Sequence, residues 1–206
     1  DAADDDDDDD DDDDQPEPFE DVEGEEEEER KTRARLVIIR LRDEAFASDP
    51  HFKKRTVAQL NAEAVAFLKK GDDLRCVAAF AKVFRKLRDN HLVHKDLHVC
   101  HSNRAAAYLN LGLFEEALWD AMRCQKLADE RFWRDRDAIS VAPIYVKAFA
   151  RRGFALMGLR NPRQAKLEFE KGLRMNPEHA ECKRGMEEAT QAMLADLMAG
   201  RGKETL

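Results

Sequence analysis

The feature that most constrains the fold is an internal repeat. The stretch from His101 to Ala117 is typical of a helix, a tight turn at Gly112 and the start of a second helix, with small residues such as Ala105 alternating with large ones such as Tyr108. Similar offsets recur 48 residues later, at Gly153, Leu156, Leu159 and Ala165, and 41 residues earlier, at Ala64, Phe67, Gly71 and Phe80. Three copies of a helix pair predict an all-α fold, a right-handed α-solenoid.

Caps and helix breakers place the helices along this solenoid. Thr56 is a good N-cap, and Gly71 ends the first helix of the first pair because glycine adopts the left-handed conformation without cost. Pro143 and Pro162 stand at helix starts, and Pro177 opens a closing helix that covers the apolar face of the last pair. The predicted helices are 56–69, 73–88, 97–110, 113–127, 143–159, 162–175 and 178–198.

The spacing of the copies is longer than that of common helical repeats. A helix-pair repeat has about 34 residues, so offsets of 41 and 48 imply insertions of about 7 and about 14 residues. We place them around 90–96 and 129–142, where they lengthen the second helices and form loops on one edge. We expect Phe132 and Trp133, in the second insertion, to pack against the solenoid, with a partner contact as the alternative.

Charge divides the chain into two parts of opposite sign. Residues 1–29 contain 13 Asp, 8 Glu and no basic residue, and the net charge of −9 for the 206 residues therefore leaves +12 for residues 30–206. Like charges and few apolar side chains predict a disordered acidic tail over 1–29. Its role is to keep the chain soluble or, alternatively, to fold loosely over the basic body and compete with an anionic ligand. Residues 30–55 are predicted as a linker with a short helix, and 56–200 as the repeat domain.

The sequence lacks the motifs of membrane proteins, of disulfide-bonded proteins and of common enzyme classes. No apolar run is long enough to cross a bilayer, and the four cysteines are scattered as expected for reduced thiols in the cytoplasm, or alternatively the nucleus. Nucleophile-elbow and dinucleotide-binding motifs are absent, so we expect the chain not to be an enzyme and to bind no cofactor. Because the first residue is Asp and not Met, we expect the chain to be a piece of a longer protein.

The sequence gives only weak signals for a metal site and for a nucleic-acid surface. Four histidines and one cysteine cluster in the loop before the second pair and at the start of its first helix, namely His91, His94, His98, Cys100 and His101. No second set of ligands occurs elsewhere in the sequence, so no metal is expected. The basic body could attract phosphate through two stripes, one of Arg85, Lys86 and Arg88 and the other of Arg131, Arg134 and Arg136. Aspartates are interleaved with both stripes, which makes nucleic acid an unlikely partner.

The second and third copies carry the motifs of a known family. Ser102-Asn103-Arg104-Ala105-Ala106-Ala107-Tyr108 with Gly112 and Ala117, and Lys147-Ala148-Phe149-Ala150-Arg151-Arg152-Gly153 with Ala165, Phe169 and Asn176-Pro177, resemble tetratricopeptide repeats (TPRs). The likeness covers roughly 56–198 and is greatest to the three-repeat TPR domains of Hsp70/Hsp90 co-chaperones. The resemblance implies a protein-interaction adaptor.

The first helices of successive pairs line a concave groove, where a ligand would bind. Groove-facing residues are predicted at Asn61, Val65, Asn103, Lys147 and Arg151. Lys147 and Arg151 are four residues apart, so they lie one turn apart on one helix face. Two cations and an amide suit a carboxylate, which arginine can hold through paired N–H donors.

The resemblance gives this groove a specific ligand. In co-chaperone TPR domains the groove forms a carboxylate clamp that grips the terminal Asp of the acidic C-terminal motif of Hsp70 or Hsp90. Asn103, Lys147 and Arg151 match the clamp pattern, whereas Asn61 stands at a lysine position and Val65 at an asparagine position. The predicted peptide-binding residues are Asn61, Asn103, Lys147 and Arg151. The alternative is a TPR scaffold that binds a different protein.

Overall fold

The computed structural model describes residues 22–89, 97–134 and 142–200, which form eight α-helices and no strand. The all-α prediction is therefore confirmed. In chain order the helices are α1 (Val22–Ala47), α2 (Val57–Lys69), α3 (Asp73–Asp89), α4 (Leu97–Asn110), α5 (Phe114–Arg134), α6 (Ala142–Gly158), α7 (Pro162–Met175) and α8 (Ala180–Met198). Within these described ranges, no helix combines the length and the apolar character that crossing a membrane requires.

The helices after α1 are arranged as three stacked pairs and a closing helix. α2 packs on α3, α4 on α5 and α6 on α7, and each pair packs on the next through its neighbouring helices. The first helices also contact one another in order, α2 with α4, α4 with α6, and α6 with α8. This arrangement is the predicted solenoid, and it aligns α2, α4 and α6 along one surface.

Local signals in the sequence account for most of the helix ends. Thr56 accepts a hydrogen bond from the backbone of Gln59, whose side chain accepts one from the backbone of Thr56, and this reciprocal cap begins α2. Gly71 and Gly112 end α2 and α4 with φ of 71° and 72°. The third turn has Arg160 at the equivalent place, with φ of 55°. A side chain in that conformation costs of order 1–3 kcal/mol.

Phe169 holds the last three helices together. Its ring is fully buried, and a Cβ built on Gly153 or Gly185 would lie 2.4 Å or 2.3 Å from it. Only glycine lets the backbones of α6 and α8 approach the ring this closely. A similar contact joins the second and third pairs, because Phe114 would lie 2.4 Å from a Cβ on Gly158. The orientation of α6 thus depends on glycines facing aromatic rings.

The N-terminal segment differs from its prediction. We expected disorder over 1–29 and a linker with a short helix over 30–55, whereas a 26-residue helix runs from Val22 to Ala47. The disorder prediction is therefore corrected for residues 22–29, and residues 1–21 lie outside the described part. Glutamate is a good helix former, and Lys31–Glu27 (3.0 Å) and Arg33–Glu29 (3.0 Å) are ion pairs one turn apart that stabilise the helix.

A charged cluster fixes the connection between α1 and α2. Lys82 of α3 is 4% exposed, and its Nζ lies 3.2 Å from Oδ2 of Asp49. Arg55 bonds the same Asp49 at 3.0 Å and Glu63 of α2 at 2.6 Å. Because one carboxylate serves two cations from two segments, the loop after α1 is held against the first pair.

The insertions behave in part as predicted. α5 continues to Arg134, seven residues past the predicted end at Leu127, which confirms a longer second helix. The segments 90–96 and 135–141 lie outside the described residues, as do the side chains of Phe132 and Trp133. The four cysteines are free and buried, in agreement with their predicted packing role.

The Phe169 contact gives a test of the packing. Gly153→Ala should lower the free energy of unfolding by about 1–3 kcal/mol, because an added methyl group overlaps the ring. Helix propensity alone predicts the opposite, a gain of about 1 kcal/mol. Urea denaturation measures the difference. The double variant Gly153→Ala/Phe169→Leu should lose less than the sum of the two single variants, and full additivity would contradict the proposed overlap.

Candidate functional site

A buried ion pair joins the two helices of the second pair. Asp120 of α5 is fully buried, and its two carboxylate oxygens accept hydrogen bonds from Arg104 at 2.6 Å and 2.8 Å. His101 Nδ1 lies 2.7 Å from the same carboxylate. Burial alone would lower the pKa of the Arg104 guanidinium, but the hydrogen bonds and charge of Asp120 outweigh burial and raise it. The second pair thus neutralises its own interior arginine.

The third pair repeats this arrangement at the 48-residue offset. Arg152 occupies the place of Arg104 and Glu168 that of Asp120, with Nη2 of Arg152 3.2 Å from Oε1 of Glu168. Lys171 lies 2.7 Å from the same oxygen, and Arg152 also donates to Gln125 of α5. The second and third copies therefore both include a carboxylate on the second helix that binds an arginine on the first.

Arg151 differs from both of these arginines. It is half-buried on α6 and donates from Nη1 to the Ser102 hydroxyl of α4. Among the described residues it forms no ion pair, and Glu181 of α8 acts on it only through space. Burial lowers the pKa of the Arg151 guanidinium, because no bound carboxylate offsets the loss of water. Arg151 is a partly desolvated cation that lacks an anion.

Lys147 and Asn103 are the other two residues that the sequence analysis grouped with Arg151. Lys147 is exposed one turn before Arg151 on α6, and Asn103 is half-buried next to Ser102 on α4. In the described part of the chain, neither side chain has a hydrogen-bond or ion-pair partner. α4 and α6 thus carry the two cations and the amide that the sequence analysis singled out, and their role in binding a ligand stays a prediction.

The α2 side of the surface is neutral. Asn61 Oδ1 accepts a weak hydrogen bond from the Cys100 thiol of α4, at 3.4 Å between the heavy atoms. Val65 is half-buried and packs against the core of the first pair. The amide of Asn61 therefore joins α2 to α4, and Val65 has no polar atom to offer. The structure links α2 to α4 and α4 to α6, and it concentrates the positive charge on α6.

Two residues near Arg151 were missed by the sequence analysis. Ser102 is 1% exposed and accepts from Arg151, and its hydroxyl also hydrogen-bonds the thiol of Cys124. Burial raises the pKa of the Cys124 thiol to about 11, so it stays neutral at physiological pH. A serine in a repeat slot filled by small residues gave no signal of this contact, because its partner is 49 residues away.

The alternative sites considered from sequence lose support where they are described. His101 is bonded to Asp120, and no group of three metal-ligating side chains occurs among the described residues. His91 and His94 lie outside that part. In the first arginine stripe, Arg85 and Arg88 both pair with Asp89, at 3.5 Å and 3.6 Å. The side chains of the second stripe also lie outside the described residues.

Comparison with known proteins gives relatives over half of the chain. No family model matches. The chain is 34% identical over 105 residues, 50% of its length, to sperm-associated antigen 1 from Homo sapiens, and 30% identical over 98 residues, 48% of its length, to the Hsp70-Hsp90 organizing protein of Triticum aestivum. These stretches cover only 10% and 14% of the relatives, so the chain spans a small part of each.

Solved structures with the same fold are TPR domains. The second TPR domain of human RPAP3, in complex with the HSP70 peptide SGPTIEEVD, matches 66% of this chain and 98% of that chain, with a TM-score of 0.50 and 24% identity. The first TPR domain of Spaghetti (RPAP3), bound to the HSP90 peptide SRMEEVD, matches 67% and 93% with a TM-score of 0.50 and 24% identity. The Sgt2 TPR domain from Aspergillus fumigatus matches 73% and 85%, with a TM-score of 0.51 and 24% identity.

These findings define the class of the protein. The helices α2 to α8 form a solenoid of three pairs and a closing helix, and its structural neighbours include TPR domains of RPAP3 and Sgt2. The curated relatives include an Hsp70-Hsp90 organizing protein. The chain therefore has a TPR fold, as the motifs at Ser102 and Lys147 indicated.

The buried pair of the second repeat predicts a stability effect. Asp120→Asn leaves Arg104 without its carboxylate, and breaking a buried pair from one side costs about 3–5 kcal/mol. We therefore expect a lower urea midpoint with an unchanged helical circular dichroism spectrum in water. As a control, Asp196→Asn near the C-terminal end of α8, where the side chain is only half-buried, should change the midpoint little. Equal midpoints for the two variants would contradict a structural role for Asp120.

Proposed function

We propose that this domain is a non-catalytic adaptor whose groove binds the free C-terminal end of an acidic peptide, and that its partner is Hsp70 or Hsp90. Arg151 and Lys147 neutralise the terminal carboxylate, and Asn103 hydrogen-bonds it. Asn61 lines the same groove on the α2 side. The adaptor works in the cytoplasm, and its fold requires no cofactor.

The observation that carries the proposal is the missing anion at Arg151. Arg104 and Arg152 have internal carboxylates at 2.6 Å and 3.2 Å, whereas Arg151, next in sequence to Arg152, has a hydroxyl. A cation that has lost part of its water is stabilised most by an incoming carboxylate, and charge-assisted hydrogen bonds contribute about 1.5–3 kcal/mol. Lys147, exposed one turn away, adds a second charge at the same place.

The structural neighbours support the ligand class. Two of them have bound peptides that end in the same four residues, SGPTIEEVD and SRMEEVD. Both peptides carry acidic residues and a terminal aspartate, as the cations of α6 would require. The α2 side of the groove, with Asn61 and Val65, carries no charge. The complex should therefore be weaker than in a groove with charged donors on both sides, because each lost charge-assisted bond costs about tenfold in affinity.

A peptide titration tests the proposal. The SRMEEVD peptide should bind the wild-type chain, and Lys147→Ala/Arg151→Ala should weaken binding at least 100-fold, since two charge-assisted contacts are lost. Fluorescence anisotropy measures the affinity, and circular dichroism confirms that the variant remains helical. Arg174→Ala, on the exposed end of α7, is the matched control and should bind as the wild type does.

The same titration also tests the role of the peptide's terminal carboxylate. A peptide with an amidated C-terminus should bind at least tenfold more weakly than the free acid, because amidation removes the carboxylate. Equal affinity for the two peptides, or unchanged affinity in the double variant, would reject the proposal. Failure of the wild type to bind either peptide would favour a TPR scaffold for a different protein.

A titration with RNA distinguishes nucleic-acid binding from peptide binding. Single-stranded RNA held only by general electrostatic attraction should bind the wild type and the Lys147→Ala/Arg151→Ala variant within about threefold of each other, with affinity falling steeply as salt rises. The peptide should distinguish the two proteins at every salt concentration. RNA binding that is tighter than peptide binding at physiological salt, and that is lost in the double variant, would assign the groove to nucleic acid.

A further inference from the structure

The guanidinium of Arg151 is held at one of its three nitrogens. Its Nη1 donates to the hydroxyl of Ser102, and in the described part of the chain neither Nε nor Nη2 has a hydrogen-bond partner. Two other arginine nitrogens of that part, Nε of Arg123 and Nε of Arg152, are fully buried without a partner, but no nitrogen of Arg151 is. Nε and Nη2 of Arg151 therefore remain in contact with solvent, where a ligand can reach them.

These two nitrogens form the edge by which other arginines of this chain hold a carboxylate. Nε and Nη2 donate in parallel, which matches the two oxygens of a carboxylate. Arg104 binds Asp120 through this edge, at 2.6 Å and 2.8 Å. Arg35 of α1 binds Glu116 of α5 through the same edge, at 2.7 Å and 3.3 Å. The contact of Arg151 with a hydroxyl thus uses the nitrogen that such a pair does not need.

Ser102 provides a fixed oxygen for this contact. Its side chain is 1% exposed, and its hydroxyl is also hydrogen-bonded to the thiol of Cys124, which is fully buried on α5. The bond to Arg151 joins α4 to α6 across 49 positions of the sequence. Because close packing leaves a buried side chain little freedom, the nitrogen that donates to this oxygen is restrained as well.

Packing of the repeat does not require the hydroxyl of Ser102. At the 48-residue offset the equivalent position is Ala150, which is also 1% exposed. The third copy thus fills the same place with a side chain that has no oxygen. The hydroxyl in the second copy is therefore explained by the groups that it binds, Arg151 and Cys124.

We propose that Ser102 is a positioning residue of the groove, which holds Nη1 of Arg151 and so directs the Nε–Nη2 edge of that guanidinium toward the terminal carboxylate of a bound peptide. The inference rests on the proposed function, since it requires a ligand carboxylate. Ser102 is buried and acts through Arg151, without a contact of its own to the ligand. A side chain that is ordered before binding loses less conformational freedom in the complex, which is worth about three- to tenfold in affinity.

Deletion of the hydroxyl tests the positioning in a peptide titration. Ser102→Ala should weaken binding of the free-acid SRMEEVD peptide about three- to tenfold. It should change binding of the amidated peptide less than twofold, because that peptide lacks the carboxylate. Fluorescence anisotropy measures both affinities. Thr190→Ala on α8 is the matched control and should leave both unchanged, because its hydroxyl bonds the backbone oxygen of Met186 in the same helix, at 2.8 Å.

A double-variant cycle separates positioning from a general effect on the fold. In the Arg151→Ala chain, Ser102→Ala should change the affinity for the free-acid peptide less than twofold, because the residue through which Ser102 acts is gone. A purely structural role of Ser102 would instead weaken binding by the same factor in both backgrounds. That result would overturn the proposal, as would unchanged or tighter binding of the free acid by the Ser102→Ala chain.

The chain without peptide gives a second readout of the same contact. The heteronuclear NOE of an arginine Nε–Hε group reports fast motion of the guanidinium. For Arg151 it should be close to that of Arg104, which Asp120 holds, and Ser102→Ala should lower the value for Arg151 only. If the wild type binds neither peptide, the proposed function and the directed edge both fail. Normal peptide binding with an Arg151 that is already mobile in the wild type would overturn the positioning alone.

Discussion

A guanidinium that leaves water needs groups that replace its lost hydration, and this constraint organises the interior of the solenoid. The second and third pairs satisfy it internally, through Asp120 for Arg104 and Glu168 for Arg152. Within the part of the chain that the structure describes, Arg151 has only the hydroxyl of Ser102, which carries no charge. The difference separates two arginines whose charge the fold neutralises from one whose charge no described carboxylate neutralises, although all three stand on first helices of the repeats.

The close packing of helices determines where that available cation points. Phe169 sits against Gly153 of α6 and Gly185 of α8, and Phe114 sits against Gly158, so α6 is fixed from both sides by rings that leave no space for a Cβ. These contacts fix α6 in the position in which Arg151 donates to Ser102 of α4. The same Phe114 contacts Lys31 of α1 and so connects the placement of the N-terminal helix to the packing of the third pair.

The sequence predicts features that depend on neighbours in the chain, and it misses those that depend on distant partners. Thr56, Gly71 and Gly112 could be placed because capping and left-handed turns are local properties. The helix α1 was underestimated because its contact with Glu116 spans 81 residues. Arg160 at a glycine position and the Ser102–Arg151 bond have no local signature. Lys147 and Arg151 were identifiable as a pair from their spacing, but their difference in burial was not.

The most direct measurement of the central claim is the NMR signal of the arginine side chains during titration with SRMEEVD. The Nε–Hε resonance of Arg151 should shift to saturation with the free-acid peptide and remain in place with the amidated one, while the resonances of Arg104 and Arg152 stay unchanged with both. An Arg151 resonance that does not move, or equal shifts at all three arginines, would contradict the assignment of Arg151 as the cation that binds the terminal carboxylate of the peptide.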